Sequence, residues 1–221
     1  MTSNPGENSD NYDHDHEVLK YNDDSAHDYD EMGRYELMSE ALKELLIERN
    51  VVSASEVREY LDFMDSRGEH VGAEIIAKAW TDPDFKRQLM TDGTATVAGM
   101  GVTMAGAELI VVENTDDIHN LVVCTLCSCY PRTILGLPPD WYKSKVYRSR
   151  AVHEPRAVLR EFGTILADHV SVRVHDSNAD MRYLVMPKRP VGTEGWNILQ
   201  LAELVTRDSM IGIAGAQQPP V

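Results

Sequence analysis

The hydrophobic positions change period part-way along the chain. From Tyr35 onward, Leu37, Met38, Ala41, Leu42, Leu45 and Leu46 recur at three-and-four spacing, while Glu40, Lys43, Glu44 and Glu48 fill the other positions. That spacing predicts an amphipathic helix. Ser53 followed by Glu56 has the spacing of a capping box, in which the hydroxyl accepts an early amide proton and the carboxylate reaches back to the cap amide. A second helix is therefore expected through about Asp65. Such an apolar stripe either packs within its own chain or embraces another one, and the pattern leaves both open. Gly72 to Trp80 reads as a short apolar helix. Thr81-Asp82-Pro83 then supplies a cap and a proline at the first helical position, where its missing donor is not needed, and Gly93 is expected to close that helix.

Beyond Gly93 the pattern becomes strand-like. Leu109 to Val112 forms one apolar run, and Leu121 to Val123 forms another that leads straight into Cys124, placing that cysteine at a strand end. Val170, Val172 and Val174 alternate with Ser171, Arg173 and His175. Ser177-Asn178-Ala179-Asp180 then predicts a hairpin turn into a strand over Met181 to Met186. A last helix is expected over about Ile198 to Thr206. Helices followed by strands and helices, without an internal repeat, make the fold α+β. A helical arm over residues 35–93 precedes a layered α/β globular domain over residues 94–221, with the cysteines at a strand end.

Composition narrows the function. The 221 residues suffice for one real core. The 36 acids against 21 bases, net −15, argue against nucleic acid, whose binding is driven by basic residues displacing counterions. Residues 1–34 hold 10 of those acids and 2 of the bases, with His14, His16 and His27 interleaved and little that could pack, so a disordered acidic tail is expected there. Its Asp-His-Asp-His-Glu run offers imidazole and carboxylate to a divalent metal. An unstructured segment, however, loses all its ordering entropy on binding, which favours a solvated tail. No stretch approaches the roughly 20 apolar residues of a membrane span, and the N-terminus lacks a basic flank and an apolar run, so no membrane association and a cytoplasmic location are expected.

Cys124, Cys127 and Cys129 are the 3 cysteines of the chain. Clustered and odd in number, they are wrongly arranged for a disulfide framework and belong to a site. A structural zinc normally gathers four ligands in two separated pairs; no second pair exists, and none of the 8 histidines sits at a knuckle-like spacing. A zinc-binding interaction protein remains as an alternative. The geometry of Cys127-Ser128-Cys129 permits a planar set of two nitrogens and two sulfurs: the Cys129 sulfur with its own amide nitrogen, the Ser128 and Cys129 nitrogens together, and the Ser128 nitrogen with the Cys127 sulfur each close a small chelate ring. Cys124 can then fill one axial position, leaving the other open as a catalytic metal requires. Amide nitrogens bind only after losing their protons, which calls for a strongly polarising, trivalent ion.

The Cys-Thr-Leu-Cys-Ser-Cys run, together with KAWTDPDF from Lys78, LGLPPDWYKS from Leu135, EPR from Glu154, RPVGTEGW from Arg189 and LVTRDSMIG from Leu204, resembles the nitrile hydratase alpha subunits over about residues 35–213. The resemblance implies a metal held by the sulfurs of Cys124, Cys127 and Cys129 and the backbone nitrogens of Ser128 and Cys129. It implies that Cys127 is oxidised to sulfinate and Cys129 to sulfenate, both held by arginines from a β-type partner subunit. Thr125 matches the cobalt-type members, implying one low-spin cobalt(III) per chain rather than iron. The reaction implied is hydration of a nitrile to an amide, the metal acting as Lewis acid and water or the Cys129 sulfenate oxygen attacking the polarised carbon, with Cys129 as the catalytic residue. A metal-insertion activator protein is implied too, since amide protons must leave and cysteines be oxidised.

Two positions depart from the pattern. Arg132 stands where nitrile hydratases usually carry a pocket tryptophan and where thiocyanate hydrolase, a relative, carries arginine. Either it serves a polar or anionic substrate in the pocket or it pairs with an acid at a subunit interface. Ala105 stands where many members carry glutamine. CYPRTILG and DSNADMRYLVMPKRP are closer to the thiocyanate hydrolase gamma subunit, whereas LPPDWYKS follows the nitrile hydratases; a three-subunit nitrile hydratase of the toyocamycin type would reconcile them. A gamma-type subunit of thiocyanate hydrolase is therefore the alternative function. Trp80, Trp141, Trp196, Tyr142 and Tyr147 are read as packing rather than a ligand box. Arg148, Arg150 and Arg156 around His153 are read as ion-pairing residues.

Overall fold

Ser53 caps the helix that follows it: the Glu56 amide donates to its hydroxyl at 3.1 Å while the Glu56 carboxylate accepts from the Ser53 amide at 2.7 Å. The two ends of this exchange satisfy amide donors that a helix start otherwise leaves open. The computed structural model describes residues 29–65, 67–127 and 129–220. Residues 1–28 of the expected acidic tail, and Ser128, lie outside the described residues. Helix α1 (Tyr29–Glu48) begins ahead of Tyr35, and α2 (Ala54–Asp65) ends where the pattern places it. Leu37, Met38, Leu42, Leu45, Tyr60 and Leu61 on these two helices are all exposed.

The core begins with α3 (Glu69–Thr81), in which Ile75, Ile76 and Ala77 are fully buried. Asp82 caps α4 (Pro83–Thr91) by accepting from the Asp84 and Phe85 amides, both at 3.0 Å, with Pro83 at the first position. Gly93 does not close this helix. Asp92 ends it and at the same time caps α5 (Gly93–Ala98), accepting from the Ala95 amide at 2.9 Å. The glycine serves closeness: a Cβ there would lie 2.5 Å from the Leu109 carbonyl oxygen.

The four strands among the described residues form two parallel pairs. Strand β1 (Glu108–Glu113) pairs with β4 (Met181–Met186), Leu109 opposite Arg182 and Val111 opposite Leu184. Strand β2 (Ile118–Val123) pairs with β3 (Ser171–Asp176), Val123 opposite Asp176. The expected hairpin between β3 and β4 is thus replaced by a crossing from one pair to the other. The turn itself is present, with the Asn178 side chain accepting from the Asp180 and Met181 amides at 2.9 and 3.0 Å. The apolar edges of β1 and β2 already stand in the core and each takes up one of the two later strands. The fold is α+β, mixed helices and strands around one core.

Between β2 and β3 run α6 (Arg132–Leu135), α7 (Asp140–Lys143), α8 (Lys145–His153) and α9 (Pro155–Glu161). Trp141, Tyr142, Tyr147 and Phe162 pack there edge to face or tilted, Trp141 to Tyr147 at 4.9 Å and Trp141 to Phe162 at 5.0 Å between ring centres. Trp141, Tyr142 and Tyr147 belong to the core, and the half-buried Phe162 and Trp80 pack against it, the Trp80 indole donating to the Pro187 carbonyl at 3.0 Å. The last helix is shorter than expected: α10 (Ile198–Ala202) stops, and Thr206 caps a further helix, α11 (Arg207–Ile211). A serine three residues into that helix reciprocates the cap, which makes Thr206 a start signal rather than an end.

Candidate metal centre

Strand β2 delivers its apolar run into the core and releases the chain at Cys124, which is fully buried. The loop that follows rises to the surface, with Leu126 84% exposed, and returns to Tyr130, which is buried again. This excursion brings the three cysteines together. Their Sγ atoms all lie within 4.8 Å of one another, Cys124 to Cys127 at 3.4 Å and Cys127 to Cys129 at 3.1 Å. These separations are far beyond a disulfide bond of about 2.05 Å, and the thiols are free. Three soft sulfurs around one point fit a transition-metal ion. Burial first, then the Cys127 and Cys124 thiols, pushes the Cys129 thiol up to about 12, against a pull from Arg182. A thiol held so far from ionisation becomes a thiolate only with a compensating positive charge, which is what a metal provides.

The loop is held from four sides, by residues whose role sequence patterns do not reveal. Asp176, at the end of β3, accepts from the Thr125 amide at 2.9 Å and from its hydroxyl at 2.5 Å. Arg148 donates to the Cys127 carbonyl at 3.1 Å, so it braces the loop rather than pairing with an acid as expected. Arg150 does pair, with Glu154 and Glu161, and Arg156 donates to the Val170 carbonyl. The Tyr142 hydroxyl donates to the Cys129 carbonyl at 2.9 Å. The Tyr147 hydroxyl donates to the Val122 carbonyl at 2.7 Å, fixing the strand end just before Cys124. Burial raises the Tyr142 hydroxyl far above the ordinary phenol range, so it stays a donor.

Over the loop opens a cavity of about 390 Å³. Cys127 and Cys129 line it with Met104, Ala105, Thr133, Arg132 and Arg182. Arg132 thus lines the same space as Cys127 and Cys129, whereas Thr125 does not line it. Ala105 sits at φ +50 in the left-handed region, a conformation that costs an L-residue about 1–2 kcal/mol. Arg182 was not legible as a site residue: its signal is only its position two residues after the Asp180 turn, where parallel pairing with β1 carries it beside the cysteines. Ser128 lies outside the described residues.

The family model for "Nitrile hydratase, alpha chain" matches residues 33–214. The chain belongs to that family. It is an alpha-type, metal-site subunit of the nitrile hydratases, with Cys124, Cys127 and Cys129 as its metal cluster. It is 48% identical to the low-molecular weight cobalt-containing nitrile hydratase subunit alpha of Rhodococcus rhodochrous, over 81% of this chain and 87% of that one. It is 44% identical to the thiocyanate hydrolase subunit gamma of Thiobacillus thioparus, over 84% of this chain and 81% of that one. Among solved structures, a double mutant of the iron-type nitrile hydratase from Comamonas testosteroni Ni1 matches with a TM-score of 0.78 and 42% identity, over 85% of this chain and 92% of that one. The chain is thus similar in sequence to cobalt-containing subunits and in fold to an iron-type one. No helix among the described residues is long and apolar enough to cross a membrane.

Proposed function

We propose that the chain is the alpha subunit of a cobalt-dependent nitrile hydratase that converts a nitrile to the corresponding amide. The observation that carries this reading is the convergence of three thiols, two of which, Cys127 and Cys129, line a cavity wide enough for a small organic substrate. Cys124, Cys127 and Cys129 would hold the ion through sulfur, and Ser128 and Cys129 through backbone nitrogen. A trivalent cobalt bound there would supply Lewis acidity toward a nitrile nitrogen. Cobalt rather than iron is supported by Thr125 and by the cobalt-containing relatives.

In this reading Cys129 is the catalytic residue. As a sulfenate it presents an oxygen to the cavity, either as the nucleophile or as the acceptor that orients the attacking water. Cys127, as a sulfinate, is the second oxidised ligand. Water adds across the triple bond, its oxygen to carbon and its protons to nitrogen, and the amide leaves. Met104, Ala105 and Pro131 give that side of the cavity an apolar wall.

A β-type subunit would close the outer side and bring arginines to the oxidised cysteines. The exposure of Cys127 and Leu126, and the apolar residues left open along α1 and α2, support such a partner. A metal-insertion activator and a cytoplasmic location complete the reading.

The experiment is elemental analysis of the purified complex with peptide mass spectrometry across Cys124–Cys129. About one cobalt per chain, with sulfinate at Cys127 and sulfenate at Cys129, is expected. Zinc with three unmodified cysteines would overturn it.

A second reading, a gamma-type subunit that hydrolyses thiocyanate to carbonyl sulfide and ammonia, is favoured by Arg132 in the cavity wall. Turnover of thiocyanate with no turnover of nitriles would put it first.

A further inference from the structure

The two strand pairs are separate ladders among the described residues, so side chains have to tie one pair to the other. Early on β2, the Asn120 side chain donates to the Glu113 carbonyl of β1 at 2.7 Å and accepts from His175 of β3 at 2.9 Å. At the cysteine end of the same strand the tie is Ser177, which its sequence neighbours mark only as the start of a turn. It is 1% exposed. Its amide donates to the Val123 carbonyl at 2.7 Å, one step beyond the last residue of β3, and its hydroxyl accepts from the Tyr183 amide of β4 at 3.3 Å. The Ser177 side chain also hydrogen-bonds the Tyr142 phenol in the sense that favours the ionised ring, so the serine is the donor there. The phenol in turn donates to the Cys129 carbonyl at 2.9 Å.

A hydroxyl is costly to bury unless it is hydrogen-bonded, and here it both accepts and donates. The bonds run in one direction, from the Tyr183 amide to Ser177, from Ser177 to Tyr142, and from Tyr142 to the Cys129 carbonyl. Hydrogen bonds in series polarise and strengthen one another. Ser177 therefore refers both ends of the cysteine loop to β4: the start through Val123, which precedes Cys124, and the end through Cys129. We propose that Ser177 is a positioning residue of this centre, setting where Cys129 stands relative to Cys124 and to the cavity wall that β4 supplies. It does not line the cavity itself and acts through Tyr142. Groups behind the ligands orient them in this way at metal centres generally, and a reacting atom displaced by a fraction of an ångström loses rate. The activity part of the test rests on the hydration reading of the same centre; the metal and absorption parts do not.

The test uses the complex with its partner chains, comparing the parent with Ser177→Ala, Ser177→Thr, Tyr142→Phe and the Ala/Phe double variant. Thr193→Val, which removes another buried hydroxyl on a different loop, serves as the control for lost stability alone. Ser177→Ala should lower kcat by about tenfold with KM changed less than about threefold, lower metal content at limiting cobalt by a similar factor, and shift the sulfur-to-metal absorption band. Ser177→Thr keeps the hydroxyl and should recover most of kcat and the parent absorption. The double variant should be no worse than the worse single one, because both changes cut the same path. Thr193→Val should lower the melting temperature while leaving kcat and the absorption band as in the parent. Ser177→Ala behaving like Thr193→Val, with stability lost and the centre unchanged, overturns the proposal. If the alanine variant does not assemble, Tyr142→Phe decides: parent-like metal content and absorption there overturn the proposal, and losses in both support it. A fully loaded parent that turns over neither nitrile nor thiocyanate overturns the hydration reading instead, and metal content and absorption then decide the role of Ser177.

Discussion

Asp176 holds Thr125 by two hydrogen bonds, one from the amide at 2.9 Å and one from the hydroxyl at 2.5 Å, across the register position at which β3 ends beside β2. Strand pairing therefore aims a carboxylate at the first residue after Cys124. The consequence is that the start of the cysteine loop is set by a residue about fifty positions away in sequence.

Removing that clamp should act on the site more than on the fold, because both side chains are exposed. Asp176→Ala and Thr125→Val should each lower metal content at limiting metal by about tenfold, as loss of groups that orient metal ligands commonly does. In a double-mutant cycle the two should couple by about 1 kcal/mol. Metal analysis and chemical denaturation of all four proteins check this; additive losses would show that the contact is incidental.

Tyr142→Phe deletes the donor to the Cys129 carbonyl and keeps the ring that packs against Tyr130 and Trp141. With that carbonyl left short of a partner, a loss of about 1–3 kcal/mol is expected. The urea midpoint should fall with an unchanged slope, since the aromatic core remains.

The pH dependence of stability should follow two histidines away from the cysteines. Burial holds His119 below the ordinary imidazole range of 6.5, against the Gly212 carbonyl, which favours the cation. His175 is lowered too, by burial and then by Arg173. With both folded-state values depressed, the unfolded chain binds more protons as acid is added. Their contribution is fully present above about 6.5 and is lost as pH falls through the lowered folded-state values. Melting temperature should drop on acidification through this window, and His119→Gln should flatten the slope; an unchanged slope would assign the effect elsewhere.

Gly212 ends α11 at φ +91, and a Cβ there would lie 2.0 Å from the Asn120 carbonyl oxygen. Both the backbone conformation and the space exclude a side chain. Gly212→Ala should cost more than about 3 kcal/mol, the range reserved for clashes with backbone that cannot yield. Expression trials and thermal melts check it, and a soluble variant melting within a few degrees of the parent would refute the clash.

Local chemistry was legible without the fold wherever the interaction is local. The Ser53 and Asp82 caps, Pro83, and the strand run into Cys124 formed as the spacing indicates, because partners a few residues apart meet in almost any context. Gly93 and Thr206 misled for a related reason: as a helix stop and as a helix end they are weak signals, and a second helix begins at or just after each. The hairpin after β3 failed because turn residues specify a change of direction and not a pairing partner; the apolar edges of β1 and β2 decided that.

What sequence alone determined is the metal cluster and the family: three cysteines within six residues can all reach one ion once the loop bends, with no distant element needed to supply a sulfur. What only the tertiary structure decided is the company they keep. Asp176, Arg148 and Tyr142 reach the loop from elements that no local pattern connects to it, and Arg182 enters the cavity because β4 pairs in parallel with β1. Proximity in sequence makes contact easy because little chain entropy is lost in closing a short loop, whereas contact across the fold is settled by which apolar surfaces bury one another, and that choice is made by the whole core at once.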